Sequence, residues 1–262
     1  MKAEFTDRVA LVTGGSRGIG RATALQLARG GADVAISYAT RVGPAEETIA
    51  DIQALGRKAI AIPCDVSQPE QVEMMASTTR EQLGSISLMA HCGAISNTAA
   101  HGEMTYELFK ETIDVNLNGT YRMVRRILPG MIERGGGYFL QMASAAGLLN
   151  QIGDAAYSTT KHAAVGFAEA LAISHGDEGI QVSVICPQYV ATPMLGYEEG
   201  DDFRDYPGVL GPDIEPGGLD LIPLHRNPRP IICIANSVAV NLYQPFFATQ
   251  QLASSRLQHH LA

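Results

Sequence analysis

Tyr157 and Lys161 stand four residues apart in Tyr157-Ser-Thr-Thr-Lys161, and Ser144 lies thirteen residues before the tyrosine. On a helix, four residues make about one turn, so the two side chains project from one face. A phenol ionises near ~10 in water, and an ammonium beside it favours the ionised form. The spacing predicts that Tyr157 works as an acid/base near neutral pH, with Ser144 donating a hydrogen bond to the same oxygen. A bare YxxxK spacing carries little, because both residues are common on helices. Its surroundings carry the argument.

Far upstream, Thr13-Gly-Gly-Ser-Arg-Gly-Ile-Gly20 follows an apolar run and opens a helical one. Glycines there let the backbone approach a pyrophosphate, and a helix N-terminus supplies amide donors and a positive partial charge. The spacing is GxxxGxG, different from the general GxGxxG fingerprint. An NAD site needs a carboxylate at the end of the second strand for the ribose 2′-hydroxyl. Here Asp33-Val-Ala-Ile-Ser-Tyr38 runs into Ala39-Thr-Arg41 with no acid at its end. Arg17 and Arg41, helped by hydroxyls of Ser37, Tyr38 or Thr40, suit a 2′-phosphate dianion instead. NADP(H) is the expected cofactor. Asp65 offers an acceptor for an adenine amino group, or serves as a helix N-terminal acid.

Strand-like runs alternate with helical periodicity through most of the chain, which is what these two ends require to be brought together. Strands are expected over Arg8–Thr13, Asp33–Tyr38, Lys58–Cys64, Ser87–Cys92, Gly137–Ala143 and Ile180–Cys186. Helices are expected over Gly18–Arg29, Ala45–Leu55, Glu70–Leu83, one long stretch Tyr106–Arg134, and Ala155–Glu178. Strict alternation with short loops implies a parallel sheet covered by helices on both faces, so the fold class is α/β, doubly wound. A single domain over residues 1–262 is expected, with 187–262 forming a substrate lid and an atypical tail. The last 42 residues from Leu221 contain no Asp, Glu or Lys. Arg229–Asn236 is expected as a final edge strand or a subunit contact, since Pro228 and Pro230 bar it from a sheet interior.

Composition excludes several functions. A net charge of −8 without a basic cluster argues against nucleic acid as a partner. No apolar stretch approaches the ~20 residues that span a bilayer, and the opening residues lack a signal-peptide apolar region. Cys64, Cys92, Cys186 and Cys233 form no CxxC pair, so buried thiols are expected rather than a zinc site or a disulfide framework. The expected location is the cytoplasm.

Four features in order, namely Thr13–Gly20, Asn116-Leu-Asn-Gly-Thr120, Ser144 after a strand, and Tyr157-x-x-x-Lys161, resemble the short-chain dehydrogenase/reductase family. Within it the chain is most similar to bacterial 3-oxoacyl-carrier-protein reductases and related carbonyl reductases, over roughly residues 5–195. The resemblance implies a catalytic set of Asn116, Ser144, Tyr157 and Lys161. Tyr157 would protonate the carbonyl oxygen, Ser144 would polarise it, Lys161 would lower the tyrosine pKa and hold the ribose, and Asn116 would anchor a relay water. It also implies cofactor contacts at Gly14, Ser16, Arg17, Gly18, Ile19 and Gly20. Further contacts fall at Tyr38, Arg41, Asp65, Val66, Gly93, Tyr157, Lys161, Pro187, Val190 and Thr192. The partners implied are a small-molecule carbonyl or alcohol and a second copy of the chain, as homodimer or homotetramer.

Three departures stand out. Ala90-His-Cys-Gly93 replaces the family's usual Asn-Asn-Ala-Gly, with His91 read as a structural stand-in rather than a proton carrier. Gln188 replaces a Gly after Pro187, and the family's C-terminal Gly-Gly ending is missing. Met194, Leu195, Tyr197, Leu148 and Ile152 supply either an apolar pocket wall or lid packing. The competing readings are a catalytically silent dinucleotide-binding protein and an NAD-linked alcohol dehydrogenase.

Overall fold

The computed structural model describes residues 5–97, 99, 101–149, 154–187, 190 and 192–195, together with the backbone of 231–234. Seven parallel strands form one sheet in the order β3-β2-β1-β4-β5-β6-β7. They are β1 (Val9–Thr13), β2 (Asp33–Tyr38), β3 (Ala59–Pro63), β4 (Ile86–His91), β5 (Gly137–Met142), β6 (Ile180–Cys186) and β7 (Ile231–Ile234). Helices α1 (Gly18–Arg29), α2 (Val42–Ala54), α3 (Pro69–Gln82), α4 (Tyr106–Ile113), α5 (Gly119–Glu133) and α6 (Ala155–His175) join them.

β1 is buried along its whole length, as expected of a strand covered on both faces. Its side chains alternate between two cores, one residue at a time. Leu11 joins Met75 of α3, Met123 of α5 and Val165 of α6 on one face. Ala10 and Val12 join Ala24 of α1 and Ile52 of α2 on the other. This three-layer packing is the expected doubly wound α/β fold.

Strand order reverses between β1 and β4, whose register pairs Thr13 with His91. Connections leave this pair in opposite directions, opening a crevice beyond the carboxyl ends of the strands where ligands bind in such sheets. The glycine turn after β1 and Gly93 after β4 both lie there. β7 pairs with β6 from Ser183↔Ile231 to Cys186↔Ile234, so the expected edge strand exists, shortened to four residues. The remainder of the tail lies outside the described residues.

Four helices differ from their sequence expectation: α3 is shifted back by one residue, α6 ends at His175 with a 3-10 turn over Gly176–Glu178 after it, and two further differences are larger or have a local consequence. The stretch expected as one helix from Tyr106 to Arg134 is broken by a π-helical turn over Asp114–Asn118. The reason is tertiary: Asn116 turns inward to bond the segment after β4, while Gly119 packs so tightly on Val66 that a Cβ would lie 2.8 Å from it. Single π turns inside α-helices mark such insertions. The helix α2 starts three residues earlier than expected, at Val42, which makes Arg41 its N-cap. Among the described residues, no helix is long and apolar enough to cross a membrane.

Candidate active site

The glycine turn is built by close approach. A Cβ on Gly20 would lie 2.1 Å from the Gly14 carbonyl oxygen, and Gly14 itself holds φ at +63° beside Gly93. No L side chain fits either demand cheaply. Gly15 N–H donates to the Ser37 carbonyl at 3.1 Å, tying the turn to β2. Ser16 is buried and Ile19 packs at the edge of the α1/α2 core. Among the described residues no side chain caps the start of α1, whose N-cap is Arg17, so its first amides are left without a capping acceptor.

Arg17 and Arg41 are both exposed and sit at the N-caps of α1 and α2. Neither has an acidic partner among the described residues, whereas Arg21 pairs with Asp51 and Arg57 with Asp33. Tyr38 is half-buried and its carbonyl accepts from Cys64 N–H. Asp65 spends one carboxylate oxygen on Ser67 N–H at 2.8 Å, in a turn leading into α3, and Val66 beside it is buried against Gly119.

At the other end of the crevice, Ser144, Tyr157 and Lys161 come together beyond β5. Ser144 follows β5 in extended conformation, and its Oγ accepts from Ala146 N–H at 3.1 Å. Its hydroxyl hydrogen is thereby left for the phenol of Tyr157, whose ionised form it favours. Lys161 is only 4% exposed. Its ammonium donates to the Met142 carbonyl at 2.9 Å and stands 5.3 Å from the centre of the Tyr157 ring. Burial lowers the Lys161 pKa to about 8.

The phenol departs from the sequence expectation. Burial of Tyr157 is the largest influence and raises its pKa; the Ser144 hydroxyl opposes this, and the Asp154 carboxylate reinforces it. The nearby ammonium, expected to lower it, is committed to the Met142 carbonyl and itself poorly solvated. In this arrangement Tyr157 is a proton-bearing group.

Asn116, also 4% exposed, is a clamp. Its Oδ1 accepts from Ile95 N–H at 2.9 Å, while Nδ2 donates to the Ile95 carbonyl and to Thr160 Oγ1 on α6. Both amide hydrogens are used, so a relay water can rest only on an oxygen lone pair. Its main-chain carbonyl already accepts from Thr120 Oγ1 at 2.8 Å.

His91 is buried, with Nδ1 2.8 Å from Thr13 Oγ1. The same oxygen accepts from Cys92 and Gly93 N–H. Its two lone pairs are filled, so the hydroxyl donates to Nδ1 and the histidine carries its proton on Nε2. Nε2 has no hydrogen-bond partner among the described residues. Burial, aided by Lys161, depresses the His91 pKa to about 3. A histidine held neutral this firmly fits the structural reading. Thr13 was not among the expected site residues, although its hydroxyl organises the whole junction; its place opening the glycine run was the available signal. Burial also raises Cys64 and Cys92 to about 12, so both stay thiols.

The segment after β6 closes the site. Pro187 O accepts from Ala145 N–H at 2.9 Å, joining it to the Ser144 turn. Val190 is buried, and Thr192 sits over Gly18, whose added Cβ would meet its methyl at 3.2 Å. Leu148 is half-buried and Met194 exposed; Ile152, Gln188 and Tyr197 lie outside the described residues. The uncapped amides, the Cβ-free turn and the adjoining arginines fit a dinucleotide with a pyrophosphate centre.

A family model described as short chain dehydrogenase matches residues 8–202. The chain belongs to this family. Its oxidoreductases use nicotinamide dinucleotides. The chain is 33% identical to a 3-oxoacyl-[acyl-carrier-protein] reductase of Synechocystis over 190 residues, covering 72% of this chain and 77% of that one. It is 31% identical to a cyclohexanol dehydrogenase of Acinetobacter, covering 80% and 85%. Among solved structures, levodione reductase superposes with a TM-score of 0.70 at 30% identity, covering 73% of this chain and 75% of that one.

Proposed function

We propose that this short-chain dehydrogenase is an NADP(H)-dependent carbonyl reductase, equivalently a secondary-alcohol dehydrogenase run in reverse. One observation carries the reading: Ser144, the phenol of Tyr157 and buried Lys161 share a crevice with the Cβ-free turn after β1. When bound, the nicotinamide supplies or accepts the hydride. Tyr157 gives its hydroxyl proton to the substrate oxygen as negative charge builds there, and takes it back in the alcohol direction. Ser144 aims its hydroxyl hydrogen at the same oxygen. Lys161 puts a positive charge one turn along from Tyr157 and holds ribose hydroxyls. Asn116 fixes the segment after β4 against α6 and offers an oxygen for a relay water.

Gly14, Ser16, Gly18, Ile19 and Gly20 cradle the pyrophosphate, with Gly93 as the opposite wall. Arg17 and Arg41 pair with a 2′-phosphate beside Tyr38, and Asp65 and Val66 border the adenine. Pro187, Val190 and Thr192 hold the carboxamide. The relatives named for reducing a 3-oxoacyl group and for dehydrogenating cyclohexanol bracket the two directions of this chemistry. Residues 1–262 act as one domain in the cytoplasm, with 187–262 covering the substrate and copies associating as dimers or tetramers.

The test is a steady-state assay of the full chain with NADPH and NADH against ketones and 3-oxoacyl thioesters. Turnover with NADPH preferred supports the reading. Binding without turnover establishes the silent alternative, and a preference for NADH overturns the cofactor assignment.

A further inference from the structure

Asp154 lies just ahead of α6 and is 1% exposed. Its Oδ1 accepts from the Tyr157 backbone N–H at 3.1 Å, and its Oδ2 accepts from Ser96 Oγ at 2.5 Å. Its backbone pairs with Ala99 in an isolated parallel bridge. The segment after β4 is thus pinned at two places, Ile95 to Asn116 and Ser96 with Ala99 to Asp154. Both pins converge on the start of the helix that presents Tyr157.

A neutral Ser, Thr or Asn caps a helix about as well as Asp does. A carboxylate this deeply buried pays a desolvation cost that those residues avoid. No cation pairs with it among the described residues; hydrogen bonds and the α6 dipole compensate instead. Its charge therefore acts on whatever lies beside it, and Tyr157 is three residues away.

We propose, on the footing of the function above, that Asp154 is a positioning residue which sets the start of α6 and reinforces burial in holding the proton on the Tyr157 hydroxyl. The enzyme then rests in the state competent for carbonyl reduction. Burial acts in the same direction, and none of the other side chains around Tyr157 does. Ser144, from the turn after β5, favours ionisation of the phenol. Lys161 on α6 is turned to the Met142 carbonyl. His91 of β4 is neutral, and Cys92 and Cys186 face Lys161.

The experiment is an ultraviolet titration of tyrosinate in the full chain, each form read against its own Tyr157→Phe partner so that only Tyr157 contributes. Asp154→Asn and Asp154→Ser both keep a capping acceptor and drop the charge. In both, Tyr157 ionises at lower pH than in the unsubstituted protein. Alcohol oxidation then gains its basic limb at lower pH, and ketone reduction loses activity at lower pH. An unmoved Tyr157 titration in a folded Asp154→Ser or Asp154→Asn protein overturns the proposal. The titration needs no turnover, so a protein without oxidoreductase activity refutes the proposed function separately.

Discussion

The two ends of the crevice are built from opposite materials. The turn after β1 is made of backbone: glycines at 2–3 Å from what a Cβ would strike, uncapped amides, and two exposed arginines at helix starts. The end beyond β5 is made of buried side chains, with Lys161 and Asn116 at 4% exposure and a phenol whose ionisation is suppressed. The first end works by what its residues lack, and its charges stay in water where they cost little. The second works by withholding water from groups that would be unremarkable in solution. Damage should accordingly appear as lost binding or lost fold at one end, and as lost chemistry at the other.

Removing the phenolic hydroxyl is the largest expected effect. Tyr157→Phe should lower kcat for ketone reduction by about 10²–10⁴-fold, as for loss of a general acid, with the NADPH dissociation constant held. Substantial residual turnover would take the proton donor away from Tyr157.

At the glycine turn, Gly20→Ala forces a Cβ against the Gly14 carbonyl at 2.1 Å. Overpacking against backbone costs about 1–3 kcal/mol or more, so the melting temperature should fall together with dinucleotide binding. A variant that melts and binds like the unsubstituted protein would show that the turn is slack, and the contrast between the two ends would fail.

Lys161→Met separates chemistry from stability. Turnover should disappear, while the variant gains relative stability because a desolvated ammonium is removed. The folded pKa of about 8 lies below the ordinary 10.5. Between those values the unfolded chain binds more protons, so the unsubstituted protein gains stability from this group as pH rises. Denaturant midpoints of the pair should draw together from pH 8 to 10.5; a constant gap would mean that the ammonium is well solvated.

The smallest effect belongs to the exposed arginines. Replacing Arg17 and Arg41 with Gln should weaken NADPH binding roughly tenfold, in keeping with surface contacts of up to ~1 kcal/mol each, and leave NADH nearly untouched. Equal losses for both cofactors in calorimetry would sink the 2′-phosphate assignment.

Element types were legible because both periods are local. α1, β2 and β6 match their expected bounds at both ends, each with a contrast of apolar and polar positions that a window can read. The π turn at Asp114–Asn118 was not legible. Its cause is a bond from Asn116 to Ile95, twenty-one residues away in the chain, and no local pattern encodes that partner. Asp154 was missed although an acid just before an apolar helical run is a readable start signal. Its burial and its bond to Ser96 are tertiary facts.

The sequence by itself determined the α/β alternation, the Cβ-free turn, the Tyr157/Lys161 spacing on one helix face and the missing acid after β2. These follow from residue type and short-range geometry, which a chain carries before it folds. Only the tertiary structure decided the state of the groups. Lys161 turns to the Met142 carbonyl, His91 is locked neutral by a Thr13 hydroxyl whose lone pairs are spent, and Tyr157 keeps its proton against the expected pull of a neighbouring ammonium. Spacing tells which groups meet, whereas protonation depends on how much water is removed and where each hydrogen bond points, and both are set by strands and loops distant in the chain.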